Sequence, residues 1–146
     1  MTVRLTPVGG RGLPHVDRRQ LRSRAAKLLR ELARTGSELS IHLVDDEAIA
    51  ALNANYRGRK RPTDVLAFSL LEGEHSEHRG RLLGDVVIGV ETADRQACAA
   101  RRTLDDEVAR LLIHGTLHLL GYDHAQRRDA RVMRGEEQRL QLALGA

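Results

Sequence analysis

At 146 residues with a net charge of +4, 41% hydrophobic and 30% charged, the chain has the length and balance of one globular domain. No apolar run approaches the roughly 18 residues of a membrane helix, and the opening MTVRLTPVGGRGLP lacks the apolar core of a signal peptide. Cys98 has no second cysteine to pair with, so the expectation is one cytoplasmic domain over residues 1–146.

The positive charge is almost all arginine, with Lys27 and Lys60 the only lysines. Residues 1–34 carry a net +7, leaving −3 for the rest. A sequence pI near 10.0 suits a polyanionic partner, and the planar guanidinium fork can hold two phosphate oxygens at once. Genome bias and a solvated surface would give the same composition. Tyr56, Phe68 and Tyr122 are the only aromatics, which excludes a multi-ring platform that reads bases by stacking. If nucleic acid is bound, the backbone is what is gripped.

Val3 and Leu5 alternate with polar neighbours and read as a strand closed by Pro7. Over residues 16–33 the apolar positions Leu21, Ala25, Leu28, Leu29 and Leu32 fall three and four apart, an amphipathic helix with a basic outer face. Leu39, Ile41 and Leu43 mark a second strand. Asp45, Asp46 and Glu47 then open a short helix, with negative charge at its N-terminus. A basic loop over 57–62 precedes a buried strand from Val65 to Leu70, and a polar connection leads to another over 82–90. Helical spacing resumes near 92–100. Thr103 can cap a further helix, with Asp106 at its third position, that runs to Gly121. A last helix covers about 126–144. The sum is four strands and about five helices.

Residues 114–124 read HGTLHLLGYDH. His114 and His118 lie one helical turn apart and share a face. Gly121 stands where a helix can end with positive φ, and the returning chain can bring His124 to the first two. Three neutral imidazoles make a facial set for zinc, with nickel or cobalt also suited. A closed structural site would need a fourth ligand, for which Cys98 is the only thiol; it is expected to pack as a small hydrophobe. His75 and His78 sit in the polar connection and read as solvated. With one coordination position left open, the set points to metal-assisted hydrolysis.

The spacing is that of metzincin proteases, whose second position is a glutamate base. Here it is Gly115, which transfers no proton. Peptide cleavage must protonate a poor amine leaving group, whereas phosphodiester cleavage leans on positioning and on charge stabilisation that an arginine can supply. The glycine favours phosphate.

The complete HGxLHLxGYDH hallmark, with LNANYRG at 52–58, PTDVLAF at 62–68 and LGDVVI at 83–88, resembles the bacterial YbeY family of metal-dependent endoribonucleases. Ala67 and Ser69 depart from the family's usual serine and proline. The resemblance implies an α+β, zincin-like domain with a mixed four-stranded sheet, about five helices and the metal site at the end of a central helix. It also implies His114, His118 and His124 as metal ligands, with Arg57 facing the metal cleft and needed on RNA. The expected substrate is single-stranded ribosomal RNA, especially the small-subunit 3′ end, with ribosomal partners and no membrane or DNA. Arg59, Lys60 and Arg61 read as solvated charges. Asp64, Asp85 and Asp123 read as capping, turn or supporting residues without assigned roles. A metal-dependent peptidase or amidohydrolase, and a non-catalytic ribosome-assembly factor with a structural metal, are the alternatives.

Overall fold

The computed structural model describes residues 2–7, 12–69, 82–122 and 127–146. Nine elements follow in the order β1 (Thr2–Pro7), α1 (Arg18–Glu31), β2 (Glu38–Val44), α2 (Asp46–Arg57), β3 (Val65–Ser69), β4 (Leu82–Gly89), α3 (Val90–Ala100), α4 (Leu104–Leu119) and α5 (Arg127–Leu144). The strands pair in the order β1-β2-β4-β3. β1, β2 and β4 run parallel, and β3 closes the edge antiparallel to β4, giving a small mixed sheet in an α+β domain.

Period-two alternation splits the sheet's side chains between two faces. Leu39, Ile41, Leu43, Val86 and Ile88 join the main core with Leu21, Ala25, Leu28 and Leu29 of α1 and the buried residues of α4. Val44, Leu66 and Val87 meet Ile49 of α2 in a smaller cluster, against which Phe68 packs. A helix in the middle of a domain must be apolar nearly all round. α4 is that helix: ten of its residues, from Glu107 to Leu119, are buried, and it touches α1, α3, α5, β3 and β4.

The helix starts are written in their caps. Asp17, Asp45 and Thr103 accept from the backbone N–H of Gln20, Ala48 and Asp106 at 3.0, 2.8 and 3.1 Å. α1 begins at Arg18 rather than at residue 16 because Asp17 takes the cap. α3 starts at Val90, two residues earlier than expected, and so takes the residue expected to end β4. Gly89 is the N-cap, in extended backbone, and it is glycine because a Cβ there would stand 2.6 Å from the Thr63 carbonyl oxygen. Cys98 is exposed, not packed: Ala93 and Ala97 carry the buried side of α3, and the next position turns outward. No described helix is long and apolar enough to cross a membrane.

Candidate metal centre and arginine cleft

α4 carries His114 and His118 on one side, with their Nε2 atoms 3.2 Å apart and their rings edge-on at 75°. Two nitrogens each about 2.0–2.1 Å from a tetrahedral zinc stand about 3.3 Å from one another. The pair therefore has the separation of two ligands on one ion. Glu137 of α5 places Oε1 3.4 Å from His114 Nδ1. A carboxylate there favours the tautomer with the proton on Nδ1, which leaves the Nε2 lone pair facing His118. This carboxylate–imidazole support is invisible in sequence, because it joins residues 23 apart on different helices.

The residue between the histidines is fixed by packing. A Cβ at Gly115 would lie 2.9 Å from Val86 Cγ1 and 3.2 Å from Val65 Cγ2. The backbone of α4 rests directly on β3 and β4 at this point, and no carboxylate side chain can occupy the position a metzincin gives to its base. Beyond His118 the helix closes in a Schellman motif. Gly121, at φ +93°, donates its N–H to the His118 carbonyl, and Tyr122 donates to that of Leu117, both at 3.0 Å. Tyr122 packs against the main core, so the direction in which the chain leaves α4 is set. His124 and Asp123 lie outside the described residues, as do His75 and His78. Among the described residues no three His, Cys, Asp or Glu side chains group to hold an ion.

Arg57, the last residue of α2, lines a cleft of about 470 Å³ with Asn53, Arg59, Arg61, Pro62 and Thr63. Gly58, at φ +69°, ends the helix, and the buried Asn53 donates Nδ2–H to the Arg61 carbonyl at 3.0 Å. That bond pins the basic loop back on its own helix. Arg59, Lys60 and Arg61 are exposed, as expected of solvated charges, and Arg59 and Arg61 also line the same cleft as Arg57. Neither histidine lines this cleft, so the structure describes two constellations rather than one.

The aspartates divide as turn and pairing residues. Asp64 accepts from the N–H of Val65 at 2.8 Å and from Gln96 at 3.3 Å, tying the start of β3 to α3. Asp85 pairs with His42 at 2.8 Å on the sheet face opposite the main core, away from both metal-helix histidines.

Fold and geometry define a small α+β domain built around a helix that presents paired imidazoles, with an arginine-lined cleft at the end of a second helix. Residues 14–145 match the family model of Endoribonuclease YbeY. An endoribonuclease YbeY of Anaeromyxobacter sp. is 49% identical over 145 residues, covering 99% of this chain and 73% of that protein. The Syntrophus aciditrophicus endoribonuclease YbeY is 48% identical over 109 residues, 75% of this chain and 68% of its own. A Thermotoga maritima protein known from a solution structure shares the fold with a TM-score of 0.66 at 25% identity, covering 98% of this chain and 89% of that one. The chain belongs to the YbeY endoribonuclease family.

Proposed function

We propose that this protein is a zincin-like, zinc-dependent endoribonuclease that hydrolyses single-stranded ribosomal RNA in the cytoplasm. Its main task on this reading is maturing the small-subunit RNA 3′ end, on or beside the ribosome. The observation that carries the reading is the 3.2 Å approach of the His114 and His118 Nε2 atoms, the spacing two ligands of one zinc require. His124, two residues past Tyr122, would complete the set, and nickel or cobalt would suit the same donors. When bound, such an ion supplies Lewis acidity to an oxygen of the reacting phosphate or of its nucleophile.

The chain's own residues do the rest. Glu137 holds the His114 ring in the tautomer that exposes Nε2. Arg57 offers a fork of donors to a phosphate as negative charge gathers on it, and Arg59 and Arg61 add a field that draws the strand in. Asn53 keeps that loop in place through its bond to Arg61. Gly115 leaves no room for a helix-borne general base, which weighs against peptide hydrolysis and for a phosphoryl centre.

The test is purified protein offered unstructured RNA and casein side by side. RNA is cut, casein is not, and Arg57→Ala and His114→Ala each abolish cutting while remaining folded by circular dichroism. Binding weakens steeply with salt as phosphate contacts release counterions. Casein cleavage, or RNA cleavage that survives His114→Ala in a folded protein, overturns the reading.

A further inference from the structure

Tyr56 is 67% exposed, unusual for an aromatic in a chain with only three. Its ring does not hang loose. The centroid sits 4.5 Å from that of Phe68, with the planes tilted by 49°, and Phe68 is itself packed on the Val44, Ile49, Leu66 and Val87 cluster. The cluster therefore backs one side of the tyrosine and leaves the remainder of the ring in solvent. Asn53, Tyr56 and Arg57 fall at i, i+3 and i+4, one side of α2, so the ring adjoins the flank that carries the arginine cleft.

An open, pre-positioned ring beside clustered, solvent-facing guanidinium groups is the pairing by which proteins hold single strands: cations track the phosphates, and an aromatic face takes a base. Duplexed bases are already stacked on their neighbours and have no face to offer. A ring held by Phe68 loses little freedom on binding, which keeps its contribution favourable.

We propose that Tyr56 is a stacking platform for one unpaired nucleobase of the RNA strand whose phosphates the Arg57, Arg59 and Arg61 cleft holds. This rests on the endoribonuclease reading and deepens it, since it gives preference for single strands a residue. Stacking is tolerant of base identity, so the platform selects unpaired nucleotides without reading sequence.

The experiment compares a short polyadenylate with an abasic strand of equal length and phosphate count, by fluorescence anisotropy, with both strands verified intact afterwards. The native protein binds polyadenylate about tenfold more tightly than the abasic strand. Tyr56→Leu keeps an apolar cover over Phe68; it loses that difference and binds the abasic strand as before. The chain has no tryptophan. Tyr56→Trp therefore introduces a single indole, whose emission polyadenylate quenches and the abasic strand does not. The proposal is overturned if Tyr56→Leu retains the tenfold difference, if it weakens both strands equally, or if the indole emission does not respond. Failure of the native protein to bind either strand overturns the RNA reading and this assignment with it; strong, salt-sensitive binding indifferent to residue 56 overturns the assignment alone.

Discussion

Gly115 lies so close to Val86 that a methyl group built on its Cα would reach within 2.9 Å of Val86 Cγ1. The contact explains how the metal helix is set. With the backbone at 115 pressed on the sheet, His114 is turned to the flank of α4 that meets Glu137 of α5, and His118, one turn on, brings its Nε2 to 3.2 Å from that of His114. Seat and site are one arrangement.

A substitution at this seat tests it directly. Gly115→Ala gains about 1 kcal/mol of helix propensity. It meets a β-branched side chain that cannot swing away, and overpacking of that kind costs roughly 1–3 kcal/mol. The expected net is a loss of about 1 kcal/mol in urea unfolding, accompanied by weaker zinc binding as the histidines shift with the helix. Gly115→Glu, which would restore the protease pattern, is expected to lose at least about 3 kcal/mol and to gain no activity on casein. A Gly115→Ala protein more stable than the native one would show that α4 does not rest on β3 and β4 here.

Glu137 gives a second, separable effect. Losing a carboxylate that orients a ligating imidazole typically weakens metal binding about 10–100-fold. Glu137→Gln keeps shape and a possible acceptor but not the charge. Zinc affinity by competition with a chromophoric chelator is expected to fall about tenfold, while the metal-free protein unfolds at an unchanged temperature. An unchanged affinity would mean that the 3.4 Å contact to His114 does not govern the ring.

These two residues also mark how far the sequence could be read. The spacing of His114 and His118, the Thr103 cap and the helix-ending Gly121 are local relations, and a local relation survives in linear order. The endoribonuclease family was equally legible, because its motifs are short runs of fixed spacing. Glu137 is different: only the crossing of α4 and α5 brings it to His114. So is Asn53, which is buried and holds the Arg61 carbonyl, keeping the loop that carries Arg59 and Arg61 against the helix end that carries Arg57. Cys98 is not legible in the same way, because its exposure depends on which side of α3 Ala93 and Ala97 bury. Val90 continues the apolar run of 82–90 in the sequence, and the sequence alone does not show that the run crosses from β4 into the first residue of α3.

Two helices end with a residue other than glycine in the left-handed region, Ala33 at φ +56° and Arg101 at φ +57°. At the second, Arg102 donates to the Ala97 carbonyl at 2.9 Å and Arg101 to that of Cys98 at 3.2 Å, the bonds of a Schellman ending. The Cβ strain there is about 1 kcal/mol, partly offset by the extra freedom glycine has when unfolded. Arg101→Gly is expected to stabilise the protein by about 0.5 kcal/mol, a rise of roughly 1–2 °C in melting temperature, with activity on RNA unchanged. A fall in melting temperature would place the arginine side chain, rather than its backbone, in the balance.

The last expectation concerns acid. Arg139 makes two bonds of 3.0 Å to Glu136 and one of 3.2 Å to Glu31, fastening α5 to α1. The Arg139 hydrogen bond holds the Glu136 carboxyl below its ordinary 4.5, against the opposing effect of burial. A carboxyl lowered in the folded state adds stability that is fully present above its unfolded pKa and lost as pH falls through the folded one. Glu136→Gln should therefore cost about 0.5 kcal/mol at neutral pH, the scale of a solvent-screened pair. Because the substituted protein has no such proton to take up, the two stability curves should converge below pH 4.5 and run parallel above it. Urea melts across that range read the difference. Curves that coincide at every pH would mean the Glu136–Arg139 pair is absent in solution, and curves that diverge towards acid would mean that burial outweighs the arginine and raises the carboxyl.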